Sequence, residues 1–407
     1  MRFGLAILSA LLLIVGCKEK KQTNNLSEGI WLVELNVMDN QELPFNLTVA
    51  KKDDGSYKMQ IYNAEEVIDV DEIEIKGDSI RMQTPVFEGY LAGTFTKNKI
   101  QGQFIKESLD RIVPFTAVYG IEDRFPAKLK KTERNVTGIW ETYFSPDLEE
   151  EYVGKGIFLQ EDSKVTGTFR TTTGDYRFLE GILDGDSLKL SSFDGAHAFL
   201  FTAKVTDSSM NGNFYSGNHF KEPFVANRND GFELPNPDSL TFLNEGYDKL
   251  AFSFPDSHGN MISLSDKKYQ NKVVIVQLMG TWCPNCLDET KFLVDYLKQD
   301  SNVEVIGLAF ESAKTKEIAF KAINRLKERV AVNYPILLAQ YGSYDKKKAQ
   351  EKLPMLNHVL SYPTTIFIDK NGDVRKIHTG FNGPATGEKY VEFKKDFNAL
   401  ITQLSNE

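Results

Sequence analysis

Residues 273–286 read VVIVQLMGTWCPNC. Val273 to Leu278 is apolar at every position except Gln277, so both faces of a strand here would be buried, and a central place in a sheet covered on both sides follows. The strand should end near Gly280. Pro284 suits the first turn of a helix, where a missing N–H is no loss. The spacing then predicts a helix with Leu287, Thr290, Leu293 and Leu297 on one face. Cys283 falls at the N-terminus of that helix, whose partial positive charge favours a thiolate. Cys286 lies one turn further in and should be less exposed. The chain has 3 cysteines, and the third, Cys17, sits in a leader segment. Two thiols at x-x spacing can close a small ring and reopen it, which is redox chemistry. A structural zinc site would want four ligands, and His197, His219, His258, His358 and His378 are scattered, so no metal is expected. A purely structural disulfide is the blander alternative, but so short a loop constrains the unfolded chain very little. The pair needs no cofactor. Cys283 should stand where a folded neighbour can touch it.

A length of 407 residues predicts two or three domains. With 41% hydrophobic and 26% charged residues, a sizeable core can be buried. The net charge of −9 and the lack of a basic stripe argue against a nucleic-acid partner. The leader carries Arg2 and then an apolar run, Leu5 to Val15, too short to span a bilayer. It ends Ile14-Val15-Gly16-Cys17, which resembles a bacterial lipobox. The resemblance implies a lipoprotein signal peptide over 1–17, an acylated Cys17 and a polar tether over 18–27. The body would then be lipid-anchored in the cell envelope, facing the periplasm or the exterior. An ordinary signal peptide with a chance cysteine is the alternative.

The region after the tether has an all-β pattern. Ile73 and Ile75 alternate with charges, Gly77-Asp78-Ser79 turns the chain, and Ile80 and Met82 alternate again, which predicts a hairpin. Motifs recur in order. Gly29-Ile30-Trp31 returns as Gly138-Ile139-Trp140, Gly77-Asp78-Ser79 as Gly185-Asp186-Ser187, Phe87-Glu88-Gly89 as Phe193-Asp194-Gly195, and Ile100/Gly102/Phe104 as Met210/Gly212/Phe214. The offsets, 106 to 110 residues, predict two copies of one β unit, 28–120 and 136–228, joined through Asp123 to Asn135. Glycines inside strands, as at Gly93, Gly102, Gly167 and Gly212, suit strongly curved sheets. With Gly-x-Trp on the first strand, each unit resembles a small lipocalin- or avidin-type barrel, Trp31 and Trp140 plugging the core. Residues 229–250, with Pro235 and Pro237, have the composition of a linker. Three Asp-Ser-aliphatic triplets, at Asp78, Asp186 and Asp238, resemble a glycosylation signal but are more often plain turns.

From Ala251 the pattern changes to alternating strands and helices, an α/β domain with a mixed sheet spanning 251–407. Val303 to Leu308 is a strand. Ile318, Ala322, Ile323, Leu326 and Val330 mark a helix. Asn371-Gly372 marks a hairpin, and Tyr390, Phe393, Phe397, Leu400, Ile401 and Leu404 form a last helical stripe. With Trp282-Cys283-Pro284-Asn285-Cys286 and Ser361-Tyr362-Pro363-Thr364, residues from Phe252 onward resemble the TlpA/ResA-type thioredoxin-like thiol-disulfide oxidoreductases. The resemblance implies a thioredoxin fold, catalysis by Cys283 and Cys286, and supporting roles for Trp282 and Pro284. It also implies a cis peptide before Pro363, whose backbone partner Tyr362 would pair with an extended client. Thioredoxin itself has a buried Asp six residues before the first Cys; here that place is Gln277. The ResA-type proteins offer a Glu after the following strand, and Glu311 maps there, with an expected raised pKa near the Cys pair. From Cys286 to Pro363 is a long 77 residues (363 − 286), and the lysine-rich stretch Tyr341 to Leu360 should help shape the groove.

Three functions are compatible with these features. The first is a lipid-anchored reductase of extracytoplasmic protein disulfides, fed by a membrane electron donor of the DsbD or CcdA kind. The second is a peroxiredoxin-like peroxidase, although Thr281 stands two residues before Cys283 and the expected Pro is missing. The third is a binding or scaffold protein whose β half captures a ligand or client.

Overall fold

Trp31 and Trp140 are both fully buried, and each indole N–H donates to the carbonyl four residues upstream, Ser27 at 3.0 Å and Val136 at 2.8 Å. The glycines two residues before them, Gly29 and Gly138, share a positive φ of 121° and 124°. The two β units are thus built alike at their first strand, and they share a strand order with one departure. The computed structural model describes residues 25–125, 130–299 and 302–407. Cys17 and most of the tether lie outside the described residues, as do residues 126–129 of the stretch joining the units.

Each unit is an antiparallel meander of nine strands whose first strand also pairs with its last, so the sheet curls into a barrel. In the first unit Gly29–Asn36 pairs with Arg111–Tyr119, Trp31 opposite Tyr119 and Leu35 opposite Phe115. The predicted hairpin is present, with Ile73 opposite Met82 and Ile75 opposite Ile80. This barrel stays unpaired along one seam, between Glu66–Val70 and Glu72–Lys76. In the second unit Gly138–Phe144 pairs with Phe220–Arg228. Here the strand equivalent to Glu66–Val70 has shrunk to Gly174–Asp175, so Lys164–Thr171 pairs directly with Leu179–Asp184 and the seam closes. The displaced segment, Thr171 to Asp175, projects as a short hairpin.

The second barrel is filled by aromatic rings: Phe201 lies 4.8 Å from Phe169 and 4.6 Å from Phe214, beside Phe144 and Phe224. Each buried ring contributes about 1.5–3 kcal/mol. The units share a core, because Phe193 of the second stacks on Phe45 of the first at 4.4 Å. Asn63 seals the junction, its amide nitrogen donating to the Phe193 carbonyl at 2.9 Å and its oxygen accepting from the Phe193 N–H at 3.0 Å.

The C-terminal domain carries a five-stranded mixed sheet. Its strands are β1 (Val273–Met279), β2 (Val303–Phe310), β3 (Ile336–Gln340), β4 (Thr364–Ile368) and β5 (Val374–Thr379). The order is β3-β2-β1-β4-β5, with β1, β2 and β3 parallel and β4 and β5 antiparallel to their neighbours. All seven residues of β1 are buried, as a central strand requires. Helices α1 (Pro284–Leu297), α2 (Lys316–Val330), α3 (Lys346–Lys352) and α4 (Glu388–Asn406) complete the domain. On α2 the inward stripe is Ala319, Ile323 and Leu326, whereas Ile318 faces out and lines an interdomain cleft. Among the described residues no helix is long and apolar enough to cross a membrane.

Residues 229–250 are laid along this domain rather than hanging free. Asp238 accepts from Lys376 at 2.8 Å and lies 2.6 Å from Nδ1 of His378, while Asn244 N donates to the Met355 carbonyl at 2.8 Å. The open seam of the first barrel meets α2, where Arg325 pairs with Glu72 at 2.8 Å and Arg329 with Asp71 at 2.6 Å. Sheet edges covered in this way are protected from pairing with other chains.

Candidate active site

Strand β1 ends at Met279, and Gly280 turns the chain under the ring of Trp282, where a Cβ would lie 2.4 Å from the indole nitrogen. Trp282 is held by a bond from Nε1 to the Phe310 carbonyl at 3.0 Å, and its ring packs against Tyr344 and Tyr362. Cys283 caps helix α1 and Pro284 opens it. The two cysteines form a disulfide, with Cα atoms 5.2 Å apart. The backbone N–H of Cys286 donates to Sγ of Cys283 at 3.2 Å. That bond and the helix end would both stabilise negative charge on Cys283 once the pair is reduced. The Tyr362–Pro363 peptide is cis, and the Tyr362 carbonyl oxygen lies 3.5 Å from Sγ of Cys283. Trp282, Pro284, Tyr362 and Pro363 therefore all gather at the cysteine pair.

Glu311 follows β2 and is only 2% exposed. Its carboxylate accepts from the backbone N–H of Thr281 and from the Thr281 hydroxyl, both at 2.8 Å. Burial pushes its pKa up to about 7, against the lowering effect of these bonds. It thus holds the turn that delivers the cysteines.

A second buried carboxylate, which the sequence pattern does not plainly signal, stands on α1. Glu289 lies one turn beyond Cys286 and is 1% exposed. It accepts from Gln277 Nε2 at 2.8 Å and from the Thr365 hydroxyl at 2.5 Å. Gln277 Nε2 also lies 3.3 Å from the Cys286 carbonyl. Burial raises the Glu289 pKa to about 7. On β1 the position six residues before Cys283 is Gln277; the buried acid comes instead from the helix, and the glutamine anchors it.

Access differs from expectation. Cys286 is fully buried, and Cys283 is only 6% exposed. Both β units pack here: Phe87 of the first and Ala196 of the second belong to the same buried core as Cys283. The Thr171–Asp175 hairpin of the second unit sits against the cysteine loop, where Asn285 Nδ2 donates to the Asp175 carbonyl at 3.1 Å. Ser361, two residues before Pro363, donates to the Thr173 carbonyl at 2.8 Å. The Gly383 N–H donates to the Asp175 carboxylate at 2.7 Å. Nearby Arg177, 5% exposed, pairs with Asp288 of α1 and Glu66 of the first unit, with Asp194 3.8 Å away.

Among the described residues no cluster of His, Cys, Asp and Glu is arranged to hold a metal ion.

Comparison with known proteins covers the C-terminal part. Residues 246–392 match the Redoxin family model. The chain is 29% identical over 139 residues to thioredoxin-like protein YneN of Bacillus subtilis (strain 168), covering 34% of this chain and 73% of that protein. It is 28% identical over 144 residues to the thiol-disulfide oxidoreductase ResA of the same organism, covering 34% of this chain and 69% of that one. The thiol:disulfide interchange protein DsbE of Escherichia coli (strain K12) is 27% identical over 128 residues, covering 31% of this chain and 60% of that protein. Among solved structures, a thiol-disulfide oxidoreductase from Bacteroides fragilis NCTC 9343 aligns with a TM-score of 0.27 and 19% identity, covering 36% of this chain and 99% of that one.

Proposed function

Since the C-terminal domain is that of a TlpA/ResA-type thioredoxin-like thiol-disulfide oxidoreductase, we propose that the chain reduces protein disulfides outside the cytoplasm through Cys283 and Cys286. One observation carries this reading: the two sulfurs are joined at the N-terminus of α1, directly beside the cis Tyr362–Pro363 peptide.

In the reduced pair, the Cys283 thiolate attacks one sulfur of a client disulfide, and the other client sulfur leaves as a thiolate. Cys286 then loses its proton and attacks Cys283 in the mixed disulfide. The client departs with two thiols, and the pair is left oxidised by two electrons. Glu289, buried one turn beyond Cys286 and tied to the Cys286 backbone through Gln277, is suited to take that proton, burial having raised its pKa to about 7. Glu311 positions Thr281 and, through it, the cysteine turn. Return of the pair to the dithiol needs two electrons, which a membrane donor of the DsbD or CcdA kind would supply. The lipobox resemblance at Cys17 supports a lipid anchor, and with it a place in the cell envelope.

Cys283→Ser should abolish reduction of an insulin-type disulfide, and Cys286→Ser should accumulate a stable mixed disulfide with clients. If neither variant changes reductase activity, this pair is not the catalyst. Alkylation of Cys286 measured against pH in Glu289→Gln and Glu311→Gln assigns the carboxylates: the proton acceptor is the one whose loss shifts the profile. Turnover of hydrogen peroxide by the purified protein would favour the peroxidase reading instead.

A further inference from the structure

The three segments that surround the cysteine pair all touch the same foreign element. The start of α1 does so through Asn285, the loop before Pro363 through Ser361, and the loop after β5 through Gly383 and Asn382, the latter accepting from Arg170 Nε at 2.7 Å. Each partner belongs to the second β unit, between Arg170 and Asp175. The fit is close. A Cβ on Gly174 would lie 2.2 Å from the Asn285 amide nitrogen, and one on Gly380 would lie 3.0 Å from the Thr173 backbone. The hairpin is also backed by ion pairs, because Arg177, two residues beyond it, is buried between Asp288 and Glu66. Meanwhile a cleft of about 550 Å³ runs between the β half, Ala196 and His197 of the second unit included, and the C-terminal domain, up to Thr281 and Trp282, the two residues before Cys283. Phe87, Leu109, Arg111 and Tyr344 form part of its walls.

We propose that the Thr171–Asp175 hairpin is a specificity element for the dithiol: it closes the approach a folded protein would use and leaves the cleft as the entrance, so that clients must present their disulfide on a flexible, extended segment. The proposal rests on the dithiol reading above. A folded disulfide protein needs an open platform around Cys283 on the scale of several side chains. The hairpin occupies that platform with backbone already hydrogen-bonded to it. An extended strand or a small disulfide is thin enough to enter past Trp282 and Tyr344, whose rings offer apolar contact to a peptide.

The test uses the full-length reduced chain and two reagents of the same chemistry, N-ethylmaleimide and a maleimide bearing a long polyethylene glycol chain. The readout is residual unmodified Cys283 by peptide mass, with reduced glutathione as the open reference. The ratio of small-reagent to large-reagent rates in the protein should exceed that for glutathione by about tenfold or more, equivalent to about 1.4 kcal/mol of local opening. In Gly174→Val, which forces the hairpin off Asn285, the excess should vanish while the small-reagent rate changes little. Should Gly174→Val fail to fold, Asp175→Ala cuts the bond to Gly383 and should lower the excess in part. In matched assays, the loosened variant should gain rate on a folded disulfide protein but not on a small aromatic disulfide. A wild-type ratio equal to that of glutathione overturns the proposal, as does an excess that survives in both variants. If N-ethylmaleimide leaves Cys283 untouched and a small disulfide is not turned over, the dithiol reading fails first, and the filter with it.

Discussion

Glu289→Gln should change how stability depends on pH, and in a direction opposite to the usual one for a carboxylate. In the folded chain burial lifts the Glu289 pKa from 4.5 to about 7, so the folded state holds a proton that the unfolded state has released. Stability from this group is fully present below pH 4.5, falls as pH rises, and is gone above about pH 7. The rise in pKa corresponds to about 3 kcal/mol at 1.36 kcal/mol per unit. Gln277 and Thr365 can still bond to a glutamine side chain, so the substitution removes the titration more than the contacts. Urea unfolding of the oxidised protein, where neither cysteine titrates, measures the effect at pH 5 and pH 8. The variant should gain about 2–3 kcal/mol on the wild type between those two pH values. A difference that stays constant within about 0.5 kcal/mol would refute the reasoning, because it would mean that Glu289 titrates as an ordinary carboxylate.

Glu311→Gln should act in the same direction, since burial raises its pKa to about 7 as well, and the double variant should flatten the acid-to-neutral slope further in the same unfolding series. Arg177→Met should destabilise the protein by about 3–5 kcal/mol near neutral pH, because Glu66, Asp194 and Asp288 are left without their buried cation. Thermal unfolding checks it. Trp31→Phe and Trp140→Phe should each cost about 1–3 kcal/mol by orphaning the carbonyls of Ser27 and Val136. A loss confined to one of them, seen in chemical denaturation, would contradict their structural equivalence.

Much of this molecule was legible in its sequence because the signals were local. The apolar run from Val273 to Leu278 has no polar face, so it can only be an interior strand, and the x-x spacing with Pro284 fixes a helix start. The all-β character of the N-terminal half was legible because alternating runs, turn residues and first-strand tryptophans recur along it. Glu289 was missed because it follows Asp288, and two adjacent acids resemble a solvated helix face. Its spacing was the available clue: it stands three residues after Cys286 and four before Leu293, on the inward stripe. Ile318 was misplaced because Ala319 satisfies the same period one step round the helix. The covering of Cys283 could not be read at all. Asn285 and Asp175 are 110 residues apart, and nothing in either segment alone announces the other. Nor could strand alternation tell that one barrel closes while its sibling keeps a seam.

The shortened strand at Gly174–Asp175 has a consequence for what the second barrel can hold. With that stave withdrawn, eight strands close the ring, and an eight-stranded bore is just wide enough for side chains to fill. Phenylalanines, with Trp140 and a set of leucines, take the lumen. Any role for this barrel in recognising other molecules therefore belongs to its rim and outer wall, and the piece removed from the wall is the piece that reaches the cysteine loop at Asn285.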